Sequence, residues 1–308
     1  MNKEQILPRK WILETGKARQ WKGSRCGPAR DVYLPTLRRI LSIVMNDIKD
    51  GSGSVLEFYD GLADSYHLIG ANWDEMVRTQ GQILDKLIRG ILPSGPIKIL
   101  DCSCGIGTQA IGLALQGHEV RATDLSPKAI ARAELEAARL EASVSFGVAD
   151  FRCLENVAGR YDAVISCDNS LPHLLTEGDL LLALESIRSK SKAEGMVLFS
   201  IRDYDKILET KPTGMLPRTF QDRGGKRIYF QTWDWSDKSP VYKVSLYILC
   251  EIDSGWETKS FVTTYRAWRR DEISVLMVGA GFDQLRWLFP QETGYYQPVV
   301  IARVGNTG

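Results

Sequence analysis

The sequence predicts an open α/β fold: a mostly parallel sheet with helices on both faces, interrupted by an antiparallel insert. Short β-branched runs alternate with helical patterns from Ile97 to Arg303. Consecutive runs end in an acid and a polar loop, which places those loops on one rim of a sheet. Between Arg227 and Trp268 the pattern changes to polar–apolar alternation, the mark of antiparallel strands with one buried face.

The first run, Ile97 to Asp101, passes into Cys102-Ser103-Cys104-Gly105-Ile106-Gly107-Thr108-Gln109 and then a small-residue helix, Ala110 to Ala114. Gly105 and Gly107 allow a sharp bend and leave bare peptide groups facing a ligand, at the positive end of a helix. By itself this loop also fits a dinucleotide fingerprint. The second run, Glu119 to Thr123, ends in Asp124, where an acid grips the ribose hydroxyls of a nucleoside. The third, Val144 to Ala149, ends in Asp150-Phe151, an acid and an aromatic suited to the edge and face of adenine. The fourth, Tyr161 to Cys167, ends in Asp168-Asn169-Ser170-Leu171-Pro172-His173.

This ladder resembles the class I S-adenosylmethionine (SAM) methyltransferases. The resemblance implies a Rossmann-like, seven-stranded sheet, and SAM as a methyl donor that leaves as S-adenosylhomocysteine. It implies that Asp101, Gly105, Gly107, Thr108 and Gln109 hold the methionine part, Asp124 and Leu125 the ribose, and Asp150 and Phe151 the adenine, with Cys167 also at the cofactor. An NAD-dependent oxidoreductase would share the glycines and Asp124, but does not need Asp101 or the Asp150-Phe151 pair. A non-catalytic SAM-binding protein would share every rung.

The chain has 308 residues, 44% of them hydrophobic, and a formal net charge of +1. Such balance gives no reason to expect nucleic acid or an anionic membrane as partner, and an assembly of like chains is allowed. Six cysteines without CxxC spacing and three histidines offer little to a metal, and none is expected. Cys102 and Cys104 read as small apolar fillers, and a reduced, cytoplasmic setting is expected. No apolar run approaches the length of a membrane span. Residues 1–44 carry ten Lys and Arg against three acids. They read as a basic arm, as a targeting peptide, or as an extension upstream of a start at Met45. Residues 1–54 are therefore expected to be an extension, disordered or upstream of the true start, and 55–308 the methyltransferase domain.

In order along that domain, Phe58, Tyr59, Leu62 and Tyr66 fall at helical spacing and give one aromatic face. With Trp73, Arg78 and Gln80 they suit a lid over a cofactor, spanning 55–92, and Tyr66, Trp73 and Arg78 are expected at the ligand. A second helix, Glu75 to Ile91, leads to the Pro93–Pro96 break. Ser126-Pro127 starts a helix in a favourable way, since serine caps free amides and proline suits the first position. Leu180, Leu181, Leu184 and Ile187 make an amphipathic helix before a fifth strand, Met196 to Ile201, which ends in Arg202-Asp203-Tyr204-Asp205. The insert, about 204–268, is expected to hold three strands, and its first part, Thr210 to Gly225, is basic and rich in Pro and Gly. Helix Asp271 to Gly279 and strands Phe282 to Phe289 and Val299 to Arg303 return to the core.

From Val55 onward the chain resembles glycine and glycine/sarcosine N-methyltransferases. The aromatic lid, Asp101–Gln109, Asn169–His173, Arg202-Asp203-Tyr204 and the insert carry this narrower likeness. It implies methyl transfer to the amine of a small amino-acid-like acceptor. A guanidinium fixes a carboxylate through two parallel hydrogen bonds, so Arg202 is the expected handle. Asn169 is expected to orient the amine with its carbonyl. Tyr204 belongs to the same site, and His173 either bonds within it or holds the loop. The alternative acceptor is another small metabolite, methylated on a carboxylate or hydroxyl oxygen.

Overall fold

The computed structural model describes residues 54–92, 95–222 and 224–305; the basic amino-terminal stretch, and the expectations attached to it, lie outside them. The described chain opens with helix α1 (Val55–Leu62), a 3-10 turn (Tyr66–Ile69) and helix α2 (Trp73–Arg89). Ser54 and Glu57 close a capping box on α1, and Asn72 caps α2. The alternating core follows: β1 (Lys98–Asp101), α3 (Thr108–Ala114), β2 (Glu119–Asp124), α4 (Pro127–Arg139), β3 (Val144–Val148), β4 (Tyr161–Ser166), α5 (Glu177–Lys190) and β5 (Ser191–Ser200). As the sequence predicts, Ser126 accepts the Ala129 N–H at 3.0 Å and Pro127 begins α4.

The short helix α6 (Tyr204–Thr210) leads to an antiparallel sheet of β6 (Gly214–Asp222), β7 (Gly225–Trp235), β8 (Val241–Ile252) and β9 (Gly255–Arg266). The three expected strands are thus four. The Pro- and Gly-rich stretch forms an edge strand, and its pairing with β7 shifts register between Met215 and Arg218, around Pro217. An edge strand with a bulge is where a sheet accommodates proline, so the loop signal and the strand coexist. Helix α7 (Arg270–Gly279), β10 (Phe282–Leu288), the turn-length α8 (Pro290–Thr293) and β11 (Val299–Val304) complete the chain.

The large sheet has seven strands in the order β10-β11-β5-β4-β1-β2-β3. β1 pairs in parallel with β2 on one side and β4 on the other, so the winding reverses at β1. Such a switch point opens a crevice beyond the carboxyl ends of the strands. β11 is antiparallel to both β5 and β10. Apolar side chains cover both faces: Val164, Val197 and Phe199 face α5 and α7, while Ile99, Ala163 and Leu198 face α2 and α3. On the second face α2 and α3 meet without side chains between them: a Cβ on Gly81 would stand 2.4 Å from the Gly112 backbone.

The small sheet turns one face inward. Tyr229, Gln231 and Trp233 on β7 and Tyr242, Val244, Leu246 and Ile248 on β8 are buried at period two. Phe58 and Leu62 of α1 pack on Tyr229, Leu246 and Ile248, which joins lid and insert over the rim. Among the described residues no helix is long and apolar enough to cross a membrane.

Candidate active site

Two cavities meet at the rim. The first is a cleft lined by the glycine loop from Cys102 to Ile106, by Thr108 and Gln109, by Asp124 and Leu125, by Asp150 to Arg152 and by Asp168, under Tyr59 and Tyr66. The second, about 820 Å³, lies between lid, insert and the loop after α8, and shares Tyr59, Tyr66 and Asp168 with the first.

In the cleft, Gly105 has φ 52° and a Cβ there would meet nothing within 4 Å, so the loop leaves an open cradle at this residue. Gly107 serves the fold: its φ is 93° and a Cβ would fall 2.8 Å from Ile111 Cδ1. Asp124 accepts the Gly105 N–H at 2.8 Å and the Ser126 N–H at 2.9 Å. Burial pushes its carboxyl up, against the pull of those amides. Asp101 is buried beside the cleft, whose lining begins at Cys102. One of its oxygens accepts the Ser103 N–H at 3.2 Å, and the other has no partner among the described residues. Burial raises its carboxyl to about 8. A buried acid with an unpartnered oxygen is costly unless a cation meets it.

Asp150 lines the cleft but is held by Arg152, at 2.7 Å from Nη2 to Oδ2, and Arg152 also reaches Asp179 at 3.2 Å. Gln109 donates to Gln80 at 2.7 Å, and Tyr295 donates to the same Gln80 oxygen at 3.2 Å. Trp73 and Arg78 line neither cavity: Trp73 packs with Ala63, Val77 and Ile106, and Arg78 is exposed. Helical spacing cannot say which residues of a helix face a ligand, and α2 turns its buried face to the α3 packing instead. Cys167 is buried in the core away from both linings.

Between the cavities stand two consecutive left-handed residues, Asp168 with φ 64° and Asn169 with φ 69°. Asp and Asn tolerate this conformation best among non-glycine residues. Ser200 holds both, its hydroxyl accepting the Asp168 N–H at 2.9 Å and its carbonyl the Asn169 N–H at 3.2 Å. Asp168 receives the Tyr66 hydroxyl at 3.1 Å. The buried Asn169 oxygen accepts the Arg202 N–H at 3.1 Å and the Tyr204 hydroxyl at 3.0 Å. A backbone N–H can only donate, so the oxygen is fixed on that side. The carbonyl expected to steer an amine is therefore committed, and the amide Nδ2, with no partner among the described residues, is the free group.

Arg202 donates to the Tyr242 hydroxyl at 3.1 Å and to Gln231 Oε1 at 3.0 Å, and lies over the rings of Trp233 and Tyr265 at 4.9 and 5.4 Å. Among the described residues no carboxylate forms an ion pair with it. Asp203 and Asp205 pair with Arg270 instead, at 2.6 and 3.2 Å. His173 joins three elements: its Nε2 shares a 2.9 Å hydrogen bond with Tyr59, its Nδ1 lies 3.3 Å from Thr263 Oγ1, and its ring stands 4.5 Å from that of Tyr265. Burial and the Arg202 charge pull its imidazole down to about 3, so it is neutral at ordinary pH. The sequence does not single out Gln231 or Tyr242, and it offers Tyr59 only as part of the aromatic lid and Asp168 only as the end of the fourth run. The available signal was Gln231, a polar residue at period two between Tyr229 and Trp233.

Acid-tipped parallel strands around a glycine loop define a nucleoside-binding α/β protein. Residues 99–195 match the methyltransferase-domain family. The glycine/sarcosine N-methyltransferase of Halorhodospira halochloris is 30% identical over 164 residues, which is 53% of this chain and 59% of that protein. That of Parasynechococcus marenigrum (strain WH8102) is 30% identical over 154 residues, 50% of this chain and 53% of that one. The matches thus span little more than half of these relatives. A SAM-bound amino pentose methyltransferase from Micromonospora echinaspora superposes with a TM-score of 0.64 at 18% identity, covering 78% of this chain and 95% of that one. Together the domain match, these relatives and the shared fold support a class I SAM-dependent methyltransferase.

The cleft fits that cofactor. The unpartnered Asp101 oxygen suits an ammonium, the open face at Gly105 suits a ligand lying on the backbone, and Asp124 ends the strand where ribose hydroxyls are held.

Proposed function

We propose that the protein methylates the amine of an amino-acid-like acceptor. The supporting observation is Arg202: a guanidinium without a carboxylate partner among the described residues, oriented by Gln231 and Tyr242 in a cavity that meets the cofactor cleft at Asp168. Two hydrogen bonds behind it and aromatic rings beside it preorganise the fork for a carboxylate. Asp101, Gly105 and Gln109 hold the methionine end of SAM, Asp124 the ribose, and Phe151 the adenine face. SAM supplies an electrophilic methyl group: the nitrogen lone pair forms the N–C bond as the S–C bond breaks, its electrons pass to sulfur, and the nitrogen's proton goes to solvent.

The chain's own contribution is alignment, which can lower a barrier by about 7–11 kcal/mol. Arg202 fixes one end of the acceptor, and the free Asn169 amide donates to its carboxylate. Tyr204 keeps Asn169 in place, and neutral His173 ties lid to insert. Incubating the purified protein with methyl-labelled SAM, glycine, sarcosine, larger amino acids and decarboxylated analogues tests the reading. Transfer to amines that carry a carboxylate is expected; equal transfer to simple amines overturns it, and so does transfer only to oxygen.

A further inference from the structure

We infer that the acceptor carries a bulky apolar or aromatic arm and is larger than glycine or sarcosine. This rests on the reading above, that an amine is methylated while Arg202 holds its carboxylate. Cavities of roughly 300–1,000 Å³ take ligands of drug size, and the acceptor cavity, about 820 Å³, lies in the upper part of that range. Glycine has no side chain with which to fill it. In-line displacement needs a held nitrogen and a dry surrounding, and a small acceptor would leave this volume to water.

The lining states the chemistry of the arm. Trp233, Tyr265 and Tyr229 stand around the guanidinium, and Leu246, Met215 and Ile69 continue the wall. The amide on this wall is already engaged: Gln231 accepts from Arg202 and from the Trp233 ring N–H at 3.0 Å, and donates to the Tyr229 hydroxyl. Charged side chains other than Arg202 and Asp168 give the arm no buried partner. Glu75, Lys206 and Arg218 are exposed, and Asp203 is paired with Arg270. A second carboxylate, an ammonium or a row of hydroxyls would lose water there without replacement, whereas an apolar arm gains by leaving it.

The test measures kcat/KM on the full chain with methyl-labelled SAM for glycine, sarcosine, alanine, phenylalanine, tyrosine and tryptophan, with phenethylamine as the decarboxylated arm. At least one aromatic amino acid is expected to exceed glycine by about 100-fold or more. Met215→Trp, at the half-buried wall, is expected to cut that acceptor's kcat/KM about tenfold more than it cuts glycine's, with SAM affinity unchanged. Glycine or sarcosine methylated as well as the aromatic acceptors overturns the inference and leaves the amine reading standing. Phenethylamine used as well as phenylalanine removes the carboxylate handle, and no transfer to any amine despite SAM binding removes the reading itself; either result overturns the inference with it.

Discussion

The two cavities are built from different materials. Apart from the lid residues Val55, Tyr59 and Tyr66, the first cavity is lined by residues between Cys102 and Leu174 that follow the core strands, and its acids Asp124, Asp150 and Asp168 stand at strand ends. The second cavity draws on residues from Phe58 to Pro298, and one of its walls is the antiparallel sheet, with Tyr229, Gln231, Trp233, Leu246 and Tyr265. Backbone and strand ends follow from topology, so the first cavity is dictated by the fold. Side chains on an inserted sheet can vary without disturbing it, so the second is free to specialise. If this division holds, substitutions in one half should leave the other half's ligand untouched.

The largest expected separation is at Arg202. Replacing it by methionine leaves an acceptor carboxylate unpaired, which costs about 2–5 kcal/mol. The acceptor's kcat/KM should fall by a factor of roughly thirty to several thousand, with SAM affinity by calorimetry unchanged. A parallel loss of SAM binding would erase the division. Asp124→Ala is the mirror experiment. Loss of hydrogen bonds to a charged group should weaken SAM by about 1.5–3 kcal/mol, while KM for the acceptor at saturating SAM stays near its original value.

A third test uses pH. Burial raises the Asp101 carboxyl to about 8, far above its unfolded value near 4. A raised acid contributes stability that is full below the unfolded pKa and is lost as pH rises through 8, so the ligand-free fold should soften over that window. Binding of a cationic ammonium wants the carboxylate. SAM affinity should therefore rise on the order of tenfold per unit from pH 6 toward 8 and then level off, with proton release seen calorimetrically. Asp101→Asn should bind weakly and show no such rise. The smallest effect is expected at Gln231→Glu, which places a carboxylate 3.0 Å from Arg202. It should compete with the acceptor and raise KM about tenfold, with kcat and SAM affinity nearly constant.

The same division explains what the sequence discloses. The expected cofactor residues Gly105, Gln109, Asp124, Asp150 and Phe151 lie at strand ends or in the turn and first helical residues that follow, where order along the chain implies place in space, and each lines the cleft. Arg202 is legible for the same reason, since it follows β5. Its supports are not. Gln231 and Tyr242 lie on β7 and β8, and only the pairing of those strands and their docking on the rim bring them to the guanidinium. Trp73 and Arg78 line neither cavity, since helical periodicity separates inside from outside without naming the neighbour. β6 hides behind Pro217, a residue that speaks of loops except at an edge.

The contact between Gly81 and Gly112 gives these glycines a meaning unrelated to bending. They act as a weld. Gln80 and Gln109, one and three residues away on the two helices, meet at 2.7 Å only because nothing keeps the helices apart. In evolutionary terms the two positions form a single character: neither can drift to alanine without levering that amide pair open. A lid fastened at its second helix has no swing there, so any opening within the lid itself falls before Trp73.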